Sequence, residues 1–452
     1  MELINEVRSV LNTILPLSFW DVLDIAMLSV LIYKGCQLLL ETRAVGLVKG
    51  ILALVAAYVV ARIFQMKTLI FVLDNAFSVG VLAIIILFQP EIRRTLERVG
   101  HMEFLERSGG NQEVLAKRNS HSINVICDAC RKLSDERTGA LIVIERRTKL
   151  GEHINGTVLN AVPSEKFFDT IFYNGTPLHD GAVIMRGGLI YAAACFLPTA
   201  SKEETVDKAL GARHRAAIGM SENSDAVIIV VSEETGKISV AENGLLKEDF
   251  SIFDLRPYLT SKQGTFSAYS EGNRAENFNA ASAVCDACEN FSDNSTGAII
   301  IIERGQVLDQ FLTDVTVIDA LPTKEALGTI FYKGTAMSSQ AVIIRDNLIH
   351  STATINVPLP ETLENKTLGA RHKAAIGLSR CSDAIVIVVS EETGTISVAD
   401  NVKGDDFTRR GFDRDELRQY LADRMSPKNE EEVQAEKEES PIAVLKKKLK
   451  KN

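Results

Sequence analysis

Four short clusters in this chain carry residue types that handle charged, oxygen-rich substrates. His179, Asp180, Gly181 and Ala182 stand between a Gly-Thr-Pro turn and an apolar run. An acid at the mouth of a strand can bind a divalent cation or polarise a hydroxyl, and glycine lets a ligand approach the backbone closely. A turn in which Asp180 and Gly181 merely set geometry is the bland alternative. Arg213, His214 and Arg215 follow Gly211. Guanidinium forks match phosphate oxygens, and N–H groups near a helix start add to an anion site. A solvated basic loop has the same composition. Ser232, Glu233 and Glu234 close another apolar run, where they suit phosphate and metal or simply form a turn. The fourth cluster, CDAC, occurs at Cys127/Cys130 and again at Cys285/Cys288. Such pairs invite a zinc or redox function. Here they lie in helical patterning with no histidine at ligand spacing, and read as buried small residues.

The elements that must position these clusters are short. Apolar runs at 140–145, 182–185, 190–196 and 226–232, bounded by turn signals, predict buried strands. Helical spacing surrounds Cys127 and covers 161–172. The segment after Gly211 begins as a loop and enters a helix. Strands apolar on both faces require helices on both faces, so the fold class is mixed-sheet α/β.

The pattern is written twice. The segment from Cys127 returns from Cys285, and the segment from Gly211 returns from Gly369, each at an offset of 158 residues. That is far above solenoid periods and marks a duplicated whole domain. The expected boundaries are 120–260 and 279–424, with a polar linker at 261–278 and a helical linker at 91–119. A mixed-charge, disordered tail is expected at 425–452. Its basic end reads as solvated, with contact to anionic lipid as the alternative.

Residues 1–90 differ in kind. Apolar runs Trp20 to Leu40, Val45 to Phe64 and Leu69 to Phe88 each have roughly the length that crosses a ~30 Å hydrocarbon core. Their charges lie mostly near run ends, and three transmembrane helices are expected. Lys34, Arg43 and Lys49, with Arg93, Arg94 and Arg98, place the first connection and the large body on the cytoplasmic side. Arg62 and Lys67 in the second connection weigh against this. A formal net charge of −9 argues against nucleic acid as a partner. Seven scattered cysteines without a disulfide framework or cleavable signal fit a reducing compartment.

Taken together, DGA followed by RHR, with GALIVIER, YNGTPLHDGAVI and VVSEETG, resembles the diadenylate cyclase family. Three N-terminal spans joined to such a domain resemble its membrane-bound bacterial members. The resemblance implies a multi-pass plasma-membrane protein with cytoplasmic cyclase domains, condensing two ATP into cyclic di-AMP and two pyrophosphates with Mg²⁺ or Mn²⁺. It implies that Asp180 activates the 3′-hydroxyl or holds metal, with His179 as a further metal ligand. Gly181 and Ala182 would meet the nucleotide, and Leu197 would line the adenine pocket. Arg213, His214 and Arg215 would hold phosphates, and Ser232 with Glu233 or Glu234 would contact the triphosphate or its metal. A membrane-anchored regulator and a phosphosugar mutase are implied as partners. Ala212 stands where the family commonly has Thr.

The second copy departs further. It keeps Arg371, His372, Ser390, Glu391 and Glu392, but has Ser338, Ser339 and Gln340 for His-Asp-Gly and Lys373 for Arg. A folded, inactive or regulatory copy is expected, still able to bind a nucleotide through its phosphate-end residues. Two first copies from different chains must then meet in at least a homodimer. A membrane-tethered sensor of adenine nucleotide or cyclic di-AMP, without turnover, is the alternative, and a structural scaffold is a weaker one.

Overall fold

The computed structural model describes residues 27–29, 45–74, 112–200, 210–266, 279–359, 368–401 and 407–425. Most of the first and third apolar runs, the stretch 91–111 and the tail lie outside them. The chain divides into two units, residues 1–100 and 101–452.

In the first unit, helix α1 (Val45–Ile63) coincides with the second apolar run and carries Lys49 and Arg62 within it. Among the described residues no helix is long and apolar enough to cross a membrane. The chain leaves α1 through a turn at Phe64–Gln65, and residues 67–74 are helical again. The break therefore falls between the second and third apolar runs. Leu54, Val59, Ile63, Phe64 and Phe71 are exposed, an apolar surface that water alone would not favour.

The second unit holds both copies. The first contains α2 (Gln112–Asp135), β1 (Ala140–Ile144), β2 (Thr157–Ala161), α3 (Glu165–Phe172), β3 (Ala182–Arg186) and β4 (Leu189–Cys195). It continues with α4 (Ala212–Asn223), β5 (Val227–Val231), β6 (Ile238–Glu242), β7 (Leu245–Lys247) and α5 (Ile252–Lys262). The second repeats the plan as α6 (Ala280–Asp293), β8 (Ala298–Ile302), β9 (Leu312–Ala320), α7 (Lys324–Ile330), β10 (Ala341–Arg345) and β11 (Leu348–Ile355). It ends with α8 (Ala370–Cys381), β12 (Ile385–Val389), β13 (Ile396–Asp400), β14 (Arg409–Arg410) and α9 (Arg414–Met425).

Each copy folds around one seven-stranded sheet, ordered β2-β4-β3-β1-β5-β6-β7 in the first and β14-β13-β12-β8-β10-β11-β9 in the second. Only β1 with β3, and β8 with β10, run parallel within them, so both sheets are mixed as expected. The central strands β1 and β5 are buried along their whole length. Helices cover both faces, which is what two-faced apolar strands demand. Ser164 and Thr323 start α3 and α7 in the same way, each hydroxyl accepting from the backbone N–H three residues on, a contact that contributes about 1 kcal/mol.

The CDAC cysteines lie on α2 and α6 and are buried in the core. Burial pushes the thiols up, Cys127 to about 11 and Cys285 to about 12, with Cys130 and Cys288 also raised. They are protonated packing residues.

The two sheets meet at their edges. Val162 N–H donates to the Ile318 carbonyl at 2.6 Å, and Leu321 N–H donates to the Leu159 carbonyl at 2.8 Å. Val162 corresponds to Leu321 and Leu159 to Ile318, so the bonds are reciprocal and the copies are related by a local two-fold axis. Tyr173 and its counterpart Tyr332 lie with ring centroids 6.1 Å apart. A Cβ at Gly175 would come 2.3 Å from the Tyr332 hydroxyl, and one at Gly334 would come 2.4 Å from that of Tyr173. Both positions also have positive φ, +90° and +101°, a conformation that favours glycine. Lys166 adds an exposed ion pair to Asp314 at 2.7 Å, weak because water competes for both charges. Edge strands left open are templates for unwanted pairing, and here each copy covers the other's edge.

Candidate functional site

The His179–Ala182 segment leaves the interface loop and enters β3. Thr176, buried, anchors the loop by donating to the Ile171 carbonyl at 2.9 Å. His179 Nδ1 lies 2.6 Å from the Thr176 carbonyl, so Nδ1 carries the proton and Nε2 is left as the acceptor. Asp180 is exposed. Gly181 has φ +113°, and a Cβ there would lie 2.8–2.9 Å from backbone atoms of Ala194 and Cys195. No other residue fits that approach without moving β4.

Across from this loop, Ala182 pairs with Cys195, which places Phe196 and Leu197 beside it. Leu197 is half-buried against the core under α4. α4 lies directly on the following segment: a Cβ at Gly219 would meet Thr199 backbone at 2.3 Å. The Pro198–Thr199 backbone thus ties the Leu197 strand end to the helix that carries Arg213–Arg215.

The helix begins at Ala212 with Gly211 as N-cap and no side-chain cap, so Arg213 to Arg215 sit on the first turn and not in a preceding loop. Its first N–H groups meet no capping side chain, and a phosphate would satisfy them. Arg213 donates to Glu233 at 2.6 Å. Gly139, at the start of β1, lies beneath that pair: a Cβ there would be 2.6 Å from Arg213 Nη1 and 2.8 Å from Glu233 Oε2. Burial pushes the His214 imidazole down, against the opposing pull of Glu248 and Glu234. It is a neutral partner at neutral pH, and not a third cation. Ser232 accepts from Thr235 N–H at 3.3 Å in the tight turn between β5 and β6.

The structure therefore brings Arg213 and Glu233 together, and Glu233 is engaged there. Asp180 and His179 stand on the neighbouring strand mouth. Among the described residues no group of three or more His, Cys, Asp or Glu side chains forms a metal cage. The Asp180 carboxylate and the His179 Nε2 acceptor are donor types that a divalent cation accepts, but two such groups are not a complete ligand set. Gly139 escaped the sequence reading, although TGA recurs in both copies and Gly297 lies beneath Arg371 and Glu391 in the same way.

In the second copy the same position is closed. Gln340 replaces Gly181 and is buried. Its Nε2 donates to the Asp314 carbonyl at 3.1 Å and to Asp314 Oδ2 at 2.8 Å, and its Oε1 accepts from Thr352 at 2.8 Å. Arg371 donates to the Ser338 carbonyl at 3.1 Å and to Glu391 at 3.2 Å. Lys333 also reaches Glu391, at 3.3 Å. Of the groups retained from the phosphate end, Arg371 and Glu391 are bonded to each other, as Arg213 and Glu233 are in the first copy.

Comparison with known proteins places both copies in one family. A profile described as "DisA bacterial checkpoint controller nucleotide-binding" matches residues 127–246 and 285–403. A second, the CdaA N-terminal transmembrane domain, matches residues 13–92. The chain is 42% identical over 243 residues to the cyclic di-AMP synthase CdaA of Bacillus subtilis, covering 54% of this chain and 88% of that protein. It is 40% identical over 249 residues to a diadenylate cyclase of Listeria monocytogenes, covering 55% and 90%. A diadenylate cyclase, CdaS, of Bacillus thuringiensis is 51% identical over 128 residues, 28% of this chain and 63% of that protein.

Proposed function

From the premise that this chain belongs to the diadenylate cyclase family and is a membrane protein with a CdaA-type N-terminal domain, we propose that its first copy condenses two ATP into cyclic di-AMP. The second copy folds without turning over. In each half-reaction the 3′-oxygen of one ATP forms a bond to the α-phosphorus of the other. The bond from that phosphorus to the bridging oxygen breaks, and pyrophosphate leaves. Asp180 accepts the hydroxyl proton or draws the hydroxyl into line. Arg213, Arg215 and the open N–H groups of α4 hold the phosphates, and Leu197 packs against the base. Asp180 and His179 Nε2 would hold a Mg²⁺ or Mn²⁺, which would supply charge neutralisation at the triphosphate. In-line positioning and preorganised charge, without a covalent nucleophile, suffice for chemistry of this kind.

The contrast at one backbone position carries this assignment. At Gly181, beside Asp180, the β4 backbone comes within 2.8–2.9 Å of where a Cβ would stand, whereas at the counterpart beside Ser339 the Gln340 side chain is buried and bonded to Asp314 and Thr352. Each diester bond needs its own acid-bearing half, so two first copies from two chains must face each other. The edge of β2 is already covered by the second copy within the chain, which supports an approach through another face. Three membrane spans with the cyclase copies on the cytoplasmic side are part of the same proposal, supported by the apolar runs and basic flanks.

The test is purified full-length protein in detergent, given ATP and Mn²⁺ or Mg²⁺, with cyclic di-AMP and pyrophosphate quantified. One cyclic di-AMP with two pyrophosphates is expected. ATP bound and unchanged by a dimeric protein would favour a sensor instead.

A further inference from the structure

Strand β4 does not run evenly. Its register against β3 passes from Ile184 opposite Ala192 to Ala182 opposite Cys195, one residue more than regular pairing allows. The extra residue is a bulge, and Ala194 within it has φ +56°, a conformation costly for alanine. The second copy has no such feature there. Ala341 pairs with Ala353, Val342 with Thr352 and Ile343 with Ser351 in unbroken register. Ala353 is not among the positive-φ residues.

Backbone contacts on both sides hold the bulge. On the β3 side is Gly181. On the β2 side is Gly156, where a Cβ would lie 2.1 Å from the Ala193 carbonyl oxygen and 2.6 Å from that of Ala194. Just before it, Asn155 spans the gap left in the β2–β4 ladder. Its Nδ2 donates to the Phe196 carbonyl at 3.1 Å, and its Oδ1 accepts from Phe196 N–H at 2.8 Å. The carboxamide supplies both a donor and an acceptor there, which a carboxylate cannot. The second copy has Asp314 and Val315 at these positions. There the β9–β11 ladder resumes at Thr354 opposite Thr313 and Ile355 opposite Leu312, after a shift whose extra residue lies on β9, where Asp314 has φ +50°, and not on β11.

We infer that Asn155 and Gly156 are positioning residues of the nucleotide site, acting through the bulge at Ala194. A one-residue change of register inverts which side chains emerge on a given face. The bulge thus decides how Phe196 and Leu197 leave the sheet beside Gly181, and Asn155 fixes the Phe196 backbone in that setting. Three substitutions in the second copy remove the device together: Asp314 for Asn155, Val315 for Gly156 and Gln340 for Gly181. This inference rests on the cyclase function proposed above.

The experiment compares steady-state kinetics and thermal unfolding of full-length wild type, Gly156→Ala and Asn155→Asp. A displacement on the order of 1 Å at a reacting centre can cost about 100-fold. Each variant is expected to raise KM for ATP about tenfold or more, with a smaller fall in kcat, and Asn155→Asp is expected to keep the wild-type unfolding temperature while Gly156→Ala lowers it. Val315→Gly in the second copy should leave KM and kcat unaltered. Wild-type KM in Asn155→Asp, or a loss of activity that tracks loss of stability with KM unchanged, overturns the inference. Asn155→Asp replaces only the amide nitrogen, so it decides the matter should Gly156→Ala not fold. If wild type makes no cyclic di-AMP, the proposed function fails separately. Affinity for a non-hydrolysable ATP analogue in the same variants then tests positioning alone, and unaltered affinity overturns it.

Discussion

Replacing Gln340 by Ala should loosen the second copy without giving it a working site. The side chain is 4% exposed and takes part in three hydrogen bonds, two to Asp314 and one from Thr352. Such bonds contribute about 0.5–1.5 kcal/mol each, and leaving the Thr352 hydroxyl buried without its partner sets the cost toward the upper end. Loss of buried volume adds to it. A total of about 2–4 kcal/mol follows, borne where β9, β10 and β11 meet. Hydrogen exchange followed by mass spectrometry reads this locally. At about 1.4 kcal/mol per tenfold, even ~2 kcal/mol speeds exchange of globally protected β11 amides by about 30-fold. ATP affinity and cyclic di-AMP output should stay at wild-type values, because residues 351–353 of β11 keep their unbroken pairing with β10 and gain no bulge of the Ala194 kind. Unchanged exchange would refute the claim that Gln340 is structural fill. So would new nucleotide binding by the second copy with protection intact, since Gln340 would then be a removable gate.

Two further outcomes follow from the same coordinates. Ser339→Asp should not raise cyclic di-AMP formation, because the new carboxylate would stand beside Gln340 on a strand without the Ala194-type bulge; a measurable gain in specific activity would contradict this. The second outcome concerns pH. Burial holds the His214 imidazole below its ordinary 6.5 against Glu248 and Glu234, and burial with Arg410 and Arg371 does the same for His372 against Glu392. The folded state binds fewer protons than the unfolded state in that window, so this contribution to stability is complete above about pH 6.5 and falls as pH drops through the folded values. The unfolding temperature between about pH 5 and 7 should therefore rise with pH, and less steeply in the His214→Gln, His372→Gln double variant. An equal slope in the variant would exclude these two groups.

Much of this architecture is legible in the sequence. Apolar runs of this length bounded by turn signals read as buried strands, and β1, β3, β4 and β5 lie where those runs are. The duplication is legible because Cys127 and Gly211 recur with their surroundings. Placing the HDGA acid at a strand mouth follows from Gly and Pro before an apolar run. The start of α4 was less clear, since Gly211 can open a loop or cap a helix, and it does the latter.

Other features leave no local mark. The reciprocal edge bonds between the copies involve Val162, Ile318, Leu321 and Leu159, ordinary apolar residues joined through their backbones. The bulge falls on an alanine inside the even run 190–196, and alanine at φ +56° has no compositional signal. Gln340 could be seen to intrude where glycine was wanted. That it satisfies itself on Asp314 and Thr352 depends on β9, distant in sequence.

The central claim is that one acid, in one of two copies, carries the chemistry. Its most direct measurement is cyclic di-AMP formed from ATP by purified full-length Asp180→Asn beside wild type and Ser339→Ala. The expected result is product from wild type and Ser339→Ala at equal rates and none above background from Asp180→Asn. Wild-type output from Asp180→Asn would contradict it.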